Sequence, residues 1–147
     1  MTVARQYRVP VDRAYERETN LWVQDRGGVL RIGLDELAQE VNGDMAFLQL
    51  AAPGTVVGRG DEMGSTEAGK YVGPILSPVA GTIRAVNRAV LDTPRLVNTD
   101  PLEAGWLVEI EPAAGETLDH LVREPDEIAL WHAERVRAFR LKGVLAE

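Results

Sequence analysis

Glu67-Ala68-Gly69-Lys70-Tyr71 is followed, after a short apolar run, by Ser77-Pro78-Val79-Ala80-Gly81. Lys70 is one of only two lysines, against fourteen arginines. The surroundings read as two strands joined by a tight turn with one lysine at its tip. Gly69 is expected to supply the positive φ that such turns often need. Such a turn holds a lysine out between small neighbours, as a handle for a covalently attached cofactor must be held. On these residues alone, a solvated lysine in an ordinary hairpin is the equal alternative. The second lysine, Lys142, falls in a polar helical stretch near the C-terminus.

Outward from the turn, short apolar runs alternate with glycine, proline and aspartate. Strands are expected at residues 29–32, 46–50, 56–57, 63–66, 72–76, 82–86 and 106–112. Val29-Leu30-Arg31-Ile32, after Arg26-Gly27-Gly28, reads as half of a hairpin. Leu34, Leu37, Ala38 and Val41 recur at helical spacing, so residues 35–42 are expected to form a short helix closed by Gly43. Residues 1–20 are polar, with Tyr7, Val9 and Tyr15 as anchors. Beyond residue 112 the pattern changes. Leu118, Leu121 and Val122 suggest an amphipathic turn or helix, and Ile128, Trp131, Val136 and Phe139 share one face of a helix opened by Pro125. His120 and His132 are expected on helical segments without catalytic duty, and Trp22 and Phe47 as scaffold.

Composition narrows the function. The chain has 147 residues and a net charge of -7, with no basic stripe for a nucleic-acid backbone. It has no cysteine and two histidines, which argues against a disulfide framework and a multi-histidine metal site. No apolar run approaches a membrane span, and Met1-Thr2-Val3-Ala4-Arg5 does not open a secretory signal, so a cytoplasmic location is expected.

The chain resembles the H protein of the glycine cleavage system and its relatives. The resemblance runs through Ile32-Gly33-Leu34-Asp35-Glu36-Leu37-Ala38-Gln39, Gly43-Asp44-Met45-Ala46-Phe47-Leu48-Gln49-Leu50 and Pro53-Gly54-Thr55-Val56-Val57. It continues in Ser77-Pro78-Val79-Ala80-Gly81, Pro94-Arg95-Leu96-Val97-Asn98-Thr99-Asp100-Pro101 and Gly105-Trp106-Leu107. It implies a mainly β fold with short helices, a flattened barrel-sandwich hybrid of the lipoyl/biotinyl-carrier type with a C-terminal helical extension. One domain over residues 1–147 is expected, its core at about 20–112 and the extension at about 115–145. The resemblance makes the protein a carrier rather than an enzyme, with lipoate on Lys70 and Glu67, Gly69 and Tyr71 as the presentation shell. Biotinyl carriers typically flank their lysine with methionines, whereas Gly69 and Tyr71 stand here.

The chain departs from the H-protein pattern at two places. Glu67-Ala68-Gly69-Lys70-Tyr71 replaces the usual Glu-Ser-Val-Lys-Ala, and Asn20-Leu21-Trp22 replaces His-Glu-Trp. Loss of the glutamate removes a charge partner for an amine cargo. The variant looks like the lipoate-binding proteins of bacterial sulfur oxidation. That likeness implies a lipoate-protein ligase and a heterodisulfide-reductase-like complex as partners, with sulfur species as cargo. The alternative is a glycine cleavage H protein that shuttles an aminomethyl group among the glycine cleavage enzymes, and a non-lipoylated module of the same fold is the third reading.

Overall fold

A computed structural model of the chain describes residues 6–145. The N-terminal stretch 1–5, read above as lacking a signal, lies outside the described residues. Strands β1 (Ala14–Tyr15), β2 (Leu21–Asp25) and β3 (Leu30–Leu34) lead into helix α1 (Glu36–Asn42). Then come β4 (Met45–Leu50), β5 (Val56–Val57), β6 (Glu62–Ala68), β7 (Val72–Leu76) and β8 (Gly81–Val86). Two short helices, α2 (Arg88–Asp92) and α3 (Leu96–Thr99), precede β9 (Val108–Pro112) and the long helix α4 (Pro125–Leu141). All strand pairs are antiparallel, in a sheet of order β1-β2-β3-β9-β8-β5 and another of order β4-β6-β7. This is the mainly β, barrel-sandwich arrangement expected, with a C-terminal helix.

The core lies where the two sheets bury their apolar residues together. Ile32, Ile83 and Ile110 from the larger sheet join Met45, Met63 and Ile75 from the smaller one. Trp22 anchors one end. It faces Gly33 across the β2–β3 pair, and a Cβ at Gly33 would lie 2.5 Å from the indole. The indole Nε1 donates to Leu34 O at 2.9 Å and Pro101 O at 3.1 Å, and the Arg13 guanidinium covers the ring at 4.6 Å. Trp22 is scaffold, as expected. Phe47 is not: it is 53% exposed. A register shift between Met45 and Phe47 breaks the inside–outside alternation of β4, so Ala46 and Phe47 both turn outward.

The helix expected at residues 35–42 forms, with Asp35 as N-cap and Gly43 as C-cap. Helices α2 and α3 were not anticipated, because five residues ending at Asp92 and four between Pro94 and Pro101 are too few to show a periodicity. The region of Leu118 and Val122 is not helical. Val122 instead pairs with Tyr15, exchanging two backbone bonds of 2.9 Å at the open edge of β1. His120 therefore sits in a turn, its Nε2 2.7 Å from Pro78 O. His132 does lie on α4, where burial pushes its pKa down.

Helix α4 starts as expected, with Pro125 in the first turn and Asp126 and Glu127 near its positive end. Ile128, Trp131 and His132 are buried, while Val136 and Phe139 are half-buried. Trp131 packs on Tyr15 at 5.3 Å between ring centroids and donates from Nε1 to Arg17 O at 3.0 Å. Among the described residues, no helix is long and apolar enough to cross a membrane.

Candidate functional site

The β6–β7 hairpin presents Lys70. Glu67 pairs with Val72 and Ala68 N–H donates to Tyr71 O at 2.8 Å, leaving Gly69 and Lys70 as the tip. Two-residue hairpin loops usually favour turns with positive φ. Neither tip residue has one, and the expectation for Gly69 is corrected. The tip leans on a neighbouring loop instead. Gly69 N–H donates to Asp44 O at 3.0 Å and Lys70 N–H to Asn42 O at 2.8 Å. Both tip amides thus find acceptors outside the hairpin, so no primed turn is required.

That neighbouring loop is the end of α1, and its glycine is Gly43. It takes φ 84 and ψ -168, a region essentially reserved for glycine. A Cβ there would stand 3.1 Å from both Lys70 N and Lys70 Cγ, so the lysine stem passes directly over it. Asn98 of α3 locks the loop from behind. Its Nδ2 donates to Gly43 O at 2.9 Å and to Gln39 Oε1 at 3.0 Å, and its Oδ1 accepts from Met45 N–H at 2.8 Å. Arg95 adds a 3.4 Å ion pair to Asp44, exposed on both sides and hence weak.

Around this fixed backbone the Lys70 side chain is exposed, and among the described residues no ion pair or hydrogen bond engages its amine. Lys142, in contrast, has its amine 5.8 Å from the Phe139 ring centroid. The three shell residues differ in what they do. Glu67 is exposed on the strand leading to the tip, and Gly69 carries the bond to Asp44 O. Tyr71 folds back over Gly73, its hydroxyl donating to Pro74 O at 3.1 Å. There it forms part of the rim of a cleft.

The cleft has a volume of about 240 Å³. Tyr71, Pro74 and Asn42 border it beside Lys70, and Leu21, Leu34, Ala38 and Leu48 give it apolar walls. At the other end of α1 the lining becomes polar, with Thr19, Asn20 and Arg135. Asn20 holds a left-handed φ of 61, which asparagine tolerates better than most residues. Its Nδ2 donates to Asp35 Oδ2 at 2.8 Å, and its Oδ1 accepts from Arg135 Nε at 2.9 Å. Asp35 is fully buried and caps α1 through Ala38 N–H at 2.8 Å. Burial pushes its carboxyl pKa up to about 7, against the bonds from Asn20 and Ala38 and the charge of Arg135.

A covalently held acyl-dithiolane group fits this arrangement. The lysine amine is exposed, and an apolar cleft begins at its neighbours Tyr71 and Asn42. Among the described residues, no group of three or more histidine, cysteine, aspartate or glutamate side chains is placed to hold a metal ion. The sequence reading found Lys70 and its neighbours but missed Asn98 and Arg135, which come from α3 and α4. Asn98 stands within a stretch quoted for the resemblance, whereas no local pattern brings Arg135 to Asn20.

A profile of the family described as "Glycine cleavage H-protein" matches residues 13–133. The chain is 41% identical over 106 residues to a glycine cleavage system H protein of Nitratidesulfovibrio vulgaris, covering 72% of this chain and 83% of that one. It is 42% identical over 112 residues to the one of Beutenbergia cavernae, covering 76% and 90%. A crystal structure of a glycine cleavage system H protein from Mycobacterium marinum superposes with a TM-score of 0.72 at 31% identity, covering 83% of this chain and 98% of that chain.

Proposed function

We propose, on the premise that this chain belongs to the glycine cleavage H-protein family, that Lys70 is the residue by which it carries lipoate. Members of that family are carriers rather than catalysts, and they hold lipoate covalently on a lysine. The observation that carries the assignment to Lys70 is the two-sided fixation of its backbone beneath a free amine.

Lipoate, amide-linked there, would supply a dithiolane that interconverts with a dithiol and so provides a sulfur on which a group is held. The chain's own residues do the rest. Asn42 and Asp44 hold the Lys70 Cα steady, so that partner enzymes meet the arm at one defined origin. Glu67 and Tyr71 flank that origin as the surface a lipoate-protein ligase reads. Leu21, Ala38 and Leu48 form walls along which a hydrocarbon arm is shielded from water. Tethering keeps the arm's end at high local concentration near any docked partner. The single carrier domain spans the β sandwich and α4 together.

Two cargoes are compatible with such an arm. The relatives' names support the aminomethyl group of glycine cleavage, with the glycine cleavage enzymes as partners. Asn20 and Leu21, where H proteins usually carry histidine and glutamate, support a sulfur cargo handed to a heterodisulfide-reductase-like complex.

Incubation with a lipoate-protein ligase, lipoate and ATP, followed by intact mass and peptide mapping, tests the attachment site. One lipoyl increment on Lys70, lost in Lys70→Arg and kept in Lys142→Arg, is expected. Modification of Lys142, or none, overturns the assignment. Glycine turnover by the lipoylated protein with glycine decarboxylase, aminomethyltransferase and dihydrolipoamide dehydrogenase then separates the cargoes. Robust turnover defeats the sulfur reading.

A further inference from the structure

The polar end of the cleft carries a cation. Arg135 of α4 is half-buried at the lining, and three contacts hold it. Nε donates to Asn20 Oδ1 at 2.9 Å, Nη2 donates to Glu18 O at 2.7 Å, and the guanidinium lies 4.7 Å from the Phe139 ring centroid. Among the described residues, no hydrogen bond engages Nη1. A guanidinium fixed through two of its nitrogens, with the third unengaged, is arranged to meet an acceptor.

Two acidic groups stand near this charge, and the charge of Arg135 acts on the carboxyl of Asp35. Asp35 lies behind Asn20, buried and bonded to Asn20 and Ala38, and it does not line the cleft. Glu18 does line the cleft, but it is exposed, and what it gives Arg135 is its backbone carbonyl. Arg135 and Phe139 lie past residue 133, where the family profile ends, while Glu18, Thr19 and Asn20 at the same end of the cleft lie within it.

We infer that Arg135 recognises a negatively charged group at the sulfur end of the arm, and that the cleft disfavours a protonated amine there. The inference rests on the carrier reading above and names the charge class of its cargo. Helix α1 separates the two ends: its seven residues span about 10 Å from the Asn20–Asp35 contact to the Lys70–Asn42 contact, at about 1.5 Å per residue. A lysine stem extended by a lipoyl chain is longer than this, so the arm reaches Arg135 with slack. An anion arriving there gains a charge-assisted bond in a partly desolvated place, whereas an ammonium meets a like charge.

The test uses the full chain, lipoylated and reduced, with both thiols alkylated to give carboxymethyl, carbamoylmethyl or aminoethyl ends of similar size. Thermal midpoints are compared within each protein, so that any folding defect of a variant cancels. The unsubstituted chain should melt about 2–4 °C higher with the carboxymethyl than with the aminoethyl arm, with the neutral arm between them. Arg135→Gln should remove the ordering, and Arg135→Lys should keep it. Equal midpoints for the three arms, or a higher midpoint for the aminoethyl arm, overturn the inference while leaving the carrier reading intact. An ordering that survives in Arg135→Gln also overturns it. Absence of the lipoyl mass increment on Lys70 removes the carrier reading, and this inference with it.

Discussion

Two glycines sit beside Lys70, and the structure assigns them opposite tolerance to a methyl group. Gly43 is held at φ 84 and ψ -168, where an L-residue costs about 1–3 kcal/mol in backbone strain. Its added Cβ would also stand 3.1 Å from Lys70 N, so that amide must back away from Asn42 O, weakening a 2.8 Å bond worth about 1 kcal/mol. Gly43→Ala should therefore lose about 2–4 kcal/mol, or about 5–12 °C in midpoint for a domain of this size. Gly69, the glycine inside the turn, has no positive φ, and the nearest atom to a Cβ there is Asp44 N at 3.7 Å, an ordinary contact. Gly69→Ala should stay within about 1 kcal/mol of the parent, since the lower entropy of its unfolded chain works in its favour. Circular-dichroism melts measure both, and initial rates of ligase modification followed by mass report the Lys70 backbone. Gly43→Ala should be modified more slowly as well. A lower midpoint for Gly69→Ala than for Gly43→Ala would refute the reasoning.

Asn98→Ala should cost about 2 kcal/mol by denaturant melt, because Gly43 O, Gln39 Oε1 and Met45 N lose a common partner, and it should raise amide exchange at residues 42–45. Trp22→Phe should cost about 1–3 kcal/mol, since Leu34 O and Pro101 O lose their donor; an unchanged melt would show that another donor replaces it. The carboxyl of Asp35, raised to about 7 by burial, keeps its proton in the folded chain at pH values where the unfolded chain has released it. Its contribution to stability is therefore largest below the ordinary carboxylate range and falls as pH rises toward 7, by up to about 4 kcal/mol. Asp35→Asn should remove this dependence, so the parent-minus-variant difference in midpoint should decline from pH 4 to 7 and level off above; a flat difference over that range would count against it.

What was legible in the sequence was local. A rare lysine between turn residues gave the hairpin tip, with the strand before it expected to end two residues short, and a short amphipathic segment with Asp35 before it and Gly43 after it gave α1 within a residue. Long-range acceptors were not legible. Gly69 was expected to take a positive φ because a hairpin considered alone needs one, yet Asn42 O and Asp44 O, more than twenty residues earlier, satisfy the tip instead. Phe47 was read as scaffold, and the register shift that turns it outward depends on pairing with β6. Leu118, Leu121 and Val122 were read as an amphipathic turn or helix from their spacing; residues 119–120 form a turn, and β1 offered Val122 an open edge instead of a helix. Arg135 meets Asn20 across 115 positions, and no periodicity encodes that meeting.

Helix α1 ties these parts into one device. Its N-cap, Asp35, is bonded to Asn20, which holds Arg135; its last residue, Asn42, accepts from Lys70, and its C-cap, Gly43, lies under the lysine stem. The same seven residues thus set the distance between Lys70 and the charged end of the cleft, and their inner face supplies Ala38 as part of the wall between. A helix this short is not stable by itself, so its position depends on its caps and on packing. It follows that damage at one end should be felt at the other. Loss of Asp35 or Asn20 should loosen the support of Lys70 about 10 Å away, and a strained Gly43 should disturb the seat of Arg135. A carrier whose arm must be both firmly rooted and free to leave its cleft gains from this coupling, since the helix that fixes the root also shapes the cleft.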